Sequence, residues 1–218
     1  SDHVRLSARS LNRATLARQF LLERTQPHAL TAVRRLVALQ AQEPPSPYIA
    51  LWTRLTGFDG AQLDEAFEGR SLVKSPLVRL TLHAVHADDY APFYRAMLSS
   101  LRASRLYDRR FTDSGLTIEA VDGVLPELLE FLAQRRSTAE VNELLEQRLG
   151  PGSKWAWWAL KTYAPINRAP TGGPWSFGTQ PAYVAAEVPE SVADSNSAPD
   201  PDSVEQLLRR YLQAFGPA

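Results

Sequence analysis

Apolar residues in the first half of the chain recur at the three-and-four spacing of helices that bury one face. Ala29, Ala32, Val33, Leu36 and Val37 form the clearest such stripe, and it runs on into Leu39-Gln40. Pro44 disfavours helical backbone at Glu43, so this helix is predicted to close by about Gln42. Upstream, Ser10 is placed to cap a helix through about Arg24, which Gln26-Pro27 ends. Tyr48 to Leu55 and Gly60 to Gly69 read as two further helices. The period then changes. Ser71 to Lys74 and Val78 to Val85 read as extended, joined by the turn signal Ser75-Pro76. Asp88 or Asp89 is expected to cap the next helix, which carries Tyr90, Phe93, Tyr94, Met97, Leu98 and Leu101. Helices followed by strand, turn and strand are the order of a winged helix.

The second half repeats that order. Ile118, Val121, Val124, Leu125, Leu128, Leu129 and Leu132 make one buried stripe, with Pro126 expected to kink the helix. Ser137-Thr138-Ala139-Glu140 is a capping box, opening a helix with Val141, Leu144, Leu145 and Leu149. After the turn Gly150-Pro151-Gly152, Ser153 is expected to cap the helix from Lys154 to Lys161. Strands at Ile166 to Arg168 and Ala182 to Ala186 flank a tip at Thr171-Gly172-Gly173-Pro174. The expected fold is mainly α with small β-hairpins, arranged as tandem winged-helix units. Residues 1–110 form the first unit and 111–188 the second. Residues 189–203 are an acidic loop or linker. Residues 204–218 are a capped amphipathic helix that would begin a third unit.

The chain has 218 residues, 44% hydrophobic and 22% charged, enough apolar material for one large or two small cores. It has no apolar run long enough to span a membrane and no signal-peptide layout at its start, which predicts a cytoplasmic protein. Without cysteine there is no disulfide and no thiolate chemistry. His83 and His86, three apart on an expected strand, point to opposite faces, so no metal site and no cofactor are predicted. Net charge is zero, but it is segregated: residues 1–110 hold 16 Lys+Arg against 10 Asp+Glu, and residues 111–218 hold 8 against 14. A basic half can track phosphates while an acidic half stays solvated. Of the 24 cations 21 are arginine, which suits bidentate phosphate contacts but is equally what a GC-rich genome produces.

A recognition helix needs polar side chains at its start to read base edges. The corresponding helix here holds Trp155, Trp157 and Trp158, so it reads as buried scaffold, with Trp155 or Trp175 the alternatives for stacking on an extruded base. No Ser/His/Asp arrangement, phosphate-cradling glycine loop or paired carboxylate stands out. What remains is Gln40-Ala41-Gln42, two uncharged amides at a helix stop, followed by Glu43 and the rigid run Pro44-Pro45-Ser46-Pro47. Two readings fit the residues: amides that cap helix carbonyls, or amides free to face a ligand. Glu43 reads as a surface acid at a helix end or as a helper of that site.

The run from Leu36 to Trp52 (LVALQAQEPPSPYIALW) resembles the signature region of the AlkZ-like winged-helix DNA glycosylases. Leu11-Asn12-Arg13, the segment Val78 to Val85 and the segment Tyr211 to Ala218 follow in the family's order. The resemblance implies a bacterial enzyme that excises alkylated purines, including those in interstrand crosslinks. It places the family's catalytic motif on Gln40, Ala41 and Gln42, with double-stranded DNA containing alkylated purines as partner and a monomer as the working form. Gln42 is expected to position the attacking water and Gln40 to orient it or stabilise the sugar, with Glu43 a lesser helper. Arg9, Arg13, Arg34, Arg35 and Arg79, in the basic half near the motif, are the expected phosphate contacts. Family members continue past Ala218 into a third winged helix and a small β-barrel that help to enclose DNA. The competing functions are a non-catalytic winged-helix DNA-binding or regulatory protein and a scaffold that binds protein or a small molecule.

Overall fold

The computed structural model describes residues 7–188 and 200–216. The first helix, α1 (Ala8–Arg18), is capped by Ser7 rather than Ser10 and ends a turn and a half before the expected Arg24. The chain leaves it through Phe20 in the left-handed region, φ 56°. Helix α2 (Ala29–Leu36) buries Ala29, Ala32, Val33 and Leu36, the stripe read from the sequence. It does not reach Gln42. Val37 turns to φ 76°, and Leu39–Gln40 becomes a two-residue strand, β1. Helices α3 (Ser46–Trp52) and α4 (Ala61–Glu68) follow as expected.

Strands β2 (Leu72–Pro76) and β3 (Leu82–His86) form the first hairpin. Ser75 and Pro76 belong to β2; the turn lies beyond them, where a single 3₁₀ turn at Val78–Leu80 puts Arg79 and Leu80 at positive φ. The Leu77 N–H donating to the Thr81 carbonyl at 3.1 Å closes this tip. Helix α5 (Ala87–Leu106) is capped by His86, whose Nδ1 accepts from the Asp88 N–H, and not by Asp88 or Asp89. Short helix α6 (Arg109–Thr112) leads to α7 (Ile118–Phe131), which continues through Pro126. Strand β4 (Arg136–Ser137) runs into α8 (Thr138–Leu149), and both halves of the Ser137–Glu140 capping box are made. Gly152, at φ 97°, precedes α9 (Ser153–Tyr163), so Ser153 is its first residue and not its cap. A Cβ at Gly152 would lie 2.8 Å from the Ser114 carbonyl oxygen, so this sharp turn needs glycine for space as well as for backbone angle. The second hairpin is β5 (Ile166–Ala169) and β6 (Ala182–Ala185).

The two hairpins do not stand apart. They join edge to edge in one antiparallel sheet of order β1-β3-β2-β5-β6-β4. The seam between β2 and β5 is one register pair, Lys74 opposite Arg168, supported by the Ser75 hydroxyl donating to the Ile166 carbonyl at 3.2 Å. One core, around Leu36, Tyr48, Leu51, Leu63 and Phe67, backs the glutamine segment. The larger core, around Tyr90, Phe93, Leu128, Leu145, Leu160 and Tyr163, is shared by α5, α7, α8 and α9. Trp157 lies in that core, and Trp158 is flanked by the guanidinium groups of Arg105 and Arg110 at 4.3 and 4.5 Å. The would-be recognition helix is scaffold.

Of the expected acidic linker, residues 189–199 lie outside the described residues. Asp200 caps α10 (Pro201–Phe215). This helix packs back on α5 and α1, where Thr15 Oγ1 and Gln19 Nε2 donate to the carbonyls of Phe215 and Ala214. Arg210 on α10 holds Asp89 on α5 through two bonds of 2.8 Å, and Arg34 approaches the same carboxylate at 3.7 Å. Asp89 is 1% exposed. Taking away one partner of a buried pair strands the other charge, so Arg210→Met is expected to lower the urea-unfolding free energy by about 3 kcal/mol. Arg209→Met next to it, which breaks an exposed pair with Glu205, should cost under about 1 kcal/mol. Equal effects of the two substitutions would show that the α5–α10 clamp carries no special weight.

Candidate functional site

The motif sits on a strand edge because tertiary pairing captures it. Leu39 pairs with Ala84 and Gln40 with His83, and the Ala41 N–H donates to the Leu82 carbonyl at 2.8 Å. Leu39 and Ala41 are buried while Gln40 and Gln42 are exposed, the period-two alternation of a strand. A helix would have spread two residues so spaced about 200° apart. In a regular ladder the Leu82 N–H would return to the Ala41 carbonyl. It donates instead to Gln42 Oε1 at 3.3 Å, so the Gln42 side chain takes over a backbone position at the end of the sheet. That bond fixes the amide and leaves the second lone pair of its oxygen, and its NH₂ group, for a ligand.

Beside Gln42 lies a cavity of about 130 Å³ whose walls include Lys74, Arg168, Thr171, Phe177 and Gln180. Lys74 is 4% exposed, and burial together with the nearby Arg168 lowers its pKa to about 8, against the weaker opposing pull of Glu43. Its ammonium stands 4.3 Å from the Phe177 ring centroid. Arg168 lies over the Tyr183 ring at 4.5 Å and is likewise shifted down by burial.

The roof of this cavity is the loop between β5 and β6, drawn across the sheet onto the first half of the chain. Tyr48 Oη donates to Asp64 Oδ1 at 2.5 Å, Ser176 Oγ donates to the same oxygen at 2.5 Å, and the two hydroxyls are 2.8 Å apart. Burial and the Asp64 carboxylate push the Tyr48 phenol well above its usual range, so it remains a donor. Trp175 meets the Tyr48 ring edge-on at 5.0 Å and Phe177 meets Phe67 in the same way at 5.0 Å. Trp175 and Ser176 both adopt positive φ, a local cost that the three-way hydrogen bond offsets.

The model of the AlkZ-like DNA glycosylase family matches residues 33–218. The chain belongs to that family. An interstrand DNA cross-link repair glycosylase of Streptomyces sahachiroi is 28% identical over 217 residues, covering 93% of this chain and 56% of that protein. The structure of the DNA glycosylase AlkZ from the same organism is similar in fold, with a TM-score of 0.76 at 23% identity over 99% of this chain. The chain thus spans less than two thirds of the length of both relatives, including 59% of the solved one. The fold is accordingly winged-helix, mainly helical with a small antiparallel sheet.

Within this AlkZ-like chain the expected site residues are not all in one place. Glu43 is exposed next to Gln42 and acts on Lys74 only through space. Arg79 is exposed at the first hairpin tip between Val78 and Leu80, themselves 43% and 36% exposed. Arg9 and Arg13 are exposed on α1. Arg35 packs over the Phe20 ring at 4.8 Å. Arg34 bridges to Asp88 at 3.4 Å and Asp89 at 3.7 Å, so it is engaged in holding α5. Lys74 and Arg168 escaped the sequence reading, and His83 entered it only as a rejected metal ligand. His83 lies directly across from Gln40, its Nδ1 2.9 Å from the Thr81 carbonyl, and burial lowers its pKa. Lys74 did carry one signal, a lone cation in the otherwise uncharged strand LVKSP. Among the described residues no group of three or more His, Asp or Glu side chains is placed to hold a metal ion, and no helix is long and apolar enough to cross a membrane.

The Tyr48–Asp64–Ser176 contact can be tested apart from any activity. Ser176→Ala removes the hydroxyl that ties the roof to Asp64 and is expected to cost about 1 to 2 kcal/mol of stability. Amide hydrogen exchange at residues 171–178 should accelerate by at least tenfold while the α7–α9 core stays protected. Uniform acceleration throughout the chain would instead mean that the loop is not separately anchored.

Proposed function

We propose that this chain is the motif-bearing part of a monofunctional DNA glycosylase that hydrolyses the N-glycosidic bond of N7-alkylated purines in double-stranded DNA and unhooks interstrand crosslinks built on such purines. The observation that carries the reading is the Gln42 amide, locked at the sheet end beside a cation-lined cavity and two residues from the equally exposed Gln40. Family membership and a relative named for interstrand crosslink repair support it. Residues 1–110 and 111–188 serve as two winged-helix units, and 204–218 as the helix that would begin a third. The working form is a monomer.

The chemistry suits neutral amides. An N7-alkylated purine is cationic and leaves as a neutral base once the bond to C1′ breaks with its electron pair passing to N9. A strong general base is therefore not needed, since water attacks an already oxocarbenium-like carbon and releases its proton to solvent. What the site must supply is position and dipoles. Gln42 Oε1, oriented by the Leu82 N–H, accepts one hydrogen bond from the water, and Gln40 completes its orientation or faces the sugar. An unmodified purine gains too little from two amides, which gives selectivity for labile lesions. Glu43, exposed at the mouth, adds negative potential near the sugar. Of the five expected arginines, Arg9, Arg13 and Arg79 make no ion pair or aromatic contact among the described residues and serve as the phosphate contacts, and the apolar pair Val78 and Leu80 beside Arg79 is suited to wedge between base steps.

The decisive measurement scores abasic sites after incubation with duplex DNA containing N7-methylguanine. Gln42→Ala and Gln40→Ala are each expected to lower single-turnover excision by about 100-fold. Their binding to the duplex should stay within about threefold of the parent, because neither amide is a phosphate contact. Unchanged excision in the double variant would end the proposed mechanism.

A further inference from the structure

The cavity beside Gln42 is built for an anion. Lys74 and Arg168 face each other across the seam of the sheet. Among the described residues neither side chain has a carboxylate within ion-pair distance, and neither donates a hydrogen bond. A side chain 4% exposed and lacking such a partner has lost most of its hydration with only the Phe177 face in return. Such an arrangement is costly unless something negative enters. The remaining wall offers neutral hydrogen-bonding groups, the hydroxyls of Thr171 and Thr179 and the amide of Gln180. At about 130 Å³ the space suits a phosphate group and is small for a purine.

Coulomb's law selects the occupant further. A cationic alkylpurine would be repelled by the two side chains, and an oxocarbenium sugar at Gln42 would be destabilised by them as long as they stay uncompensated. A phosphodiester seated between them removes that penalty and brings its own negative charge close to the developing sugar cation. We infer that Lys74 and Arg168 form a phosphate-binding site that seizes the DNA backbone phosphate adjoining the lesion nucleotide and so sets its C1′ beside Gln42. This rests on the glycosylase reading for the identity of the DNA, while the anion site itself stands on the cavity and its two cations. The roof loop closed by Tyr48, Asp64 and Ser176 holds Phe177 against Lys74 and so keeps the ammonium turned to the cavity.

The site has a proton signature. Free Lys74 titrates at about 8. The charged groups facing it are Arg168 from β5 and Glu43 from the segment after β1, while β3 places Ala84 directly opposite with Leu82 and His86 diagonally across; Lys161 of α9 and Tyr183 of β6 bear on Arg168. A bound phosphate favours the ammonium and raises the value. Affinity is therefore full below about pH 8 and falls as pH rises from the free towards the bound pKa.

Only three lysines are present, so ¹³Cε-lysine NMR resolves Lys74, with Lys74→Met giving the assignment. Adding a duplex with a tetrahydrofuran abasic analogue should raise the Lys74 pKa by a unit or more, and inorganic phosphate should move the same resonance at higher concentration. Lys74→Met and Arg168→Met should each weaken duplex binding about tenfold and reduce the salt slope by about one. A single methylphosphonate, scanned through the phosphates around the lesion, should cost the parent protein affinity at one position and cost Lys74→Met nothing there. That last comparison separates contact from mere structural support. A Lys74 resonance unmoved by both ligands, or a methylphosphonate penalty that survives Lys74→Met, would overturn the site. Loss of excision with the Lys74 response intact would count against the glycosylase reading and leave the anion site standing.

Discussion

Two hairpins from different halves of the chain are fused into one sheet by a seam of a single register pair, and that pair is two cations. Everything around the candidate site depends on this placement of Lys74 opposite Arg168. Like charges directly across a ladder oppose pairing, so the seam holds for other reasons. The Ser75 hydroxyl bonded to the Ile166 carbonyl and the packing of α5 and α9 behind the sheet supply them. The charge repulsion is softened from the other side by aromatic faces, Phe177 for Lys74 and Tyr183 for Arg168. The junction that makes one body of the two halves thus also sets two cations side by side, and it lies next to the glutamine motif.

That arrangement explains why a surface loop is so firmly tied. Phe177 must cover Lys74, and the segment from Thr171 to Gly178 has no regular structure to hold it. The Asp64 carboxylate gathers the hydroxyls of Tyr48 and Ser176, and Trp175 lies on the Tyr48 ring. Tyr48 belongs to α3, which starts within the proline-rich run that follows the motif, with Pro45 at its cap. The rigid run does not stop α2, which has already ended at Leu36. It carries the chain from the strand edge to the tyrosine that anchors the roof, so one continuous stretch from Leu39 to Trp52 links the motif to the roof loop.

Periodicity was a good guide wherever a buried stripe is long, as in α2, α4, α5 and α7, and the Ser137–Glu140 box is local chemistry that needs no tertiary help; in α10 it found the helix, but Leu208, Tyr211 and Leu212 of the expected apolar face are exposed. It failed at the motif for an identifiable reason. The apolar spacing of α2 carries on through Leu39, yet Val37 leaves the helix and two residues are captured by β3, a pairing partner some forty residues away. A strand of two residues has no period of its own to detect. His86 as a helix cap was equally hidden, since histidine is a poor statistical cap and only the geometry after β3 places its Nδ1 on the Asp88 N–H. Lys74 and Arg168 were missed, and His83 was weighed only as a metal ligand, because their roles are contacts between distant segments. The family resemblance rests on the same Leu36–Trp52 run that forms the site, which is why the motif residues could be named while their backbone conformation was misjudged.

The strand placement changes what the two amides can do. At a helix end, glutamine amides are drawn to terminal carbonyls and compete with their own backbone. At a strand end the competition is reversed. The Leu82 N–H donates to Gln42 rather than to the Ala41 carbonyl, so it consumes one lone pair of the amide and leaves the rest of it outward. A neutral side chain becomes as fixed as the sheet itself without any charge being buried. Fixity matters most for a weak group, because a dipole contributes to a transition state only to the degree that it need not reorganise. A carboxylate at position 42 would bring stronger attraction for the sugar cation, but it would also face Lys74 across a small cavity and be drawn into an ion pair there. In the proposed mechanism a glutamine keeps the two functions separate, leaving the cations free for an anion and the amide free for water.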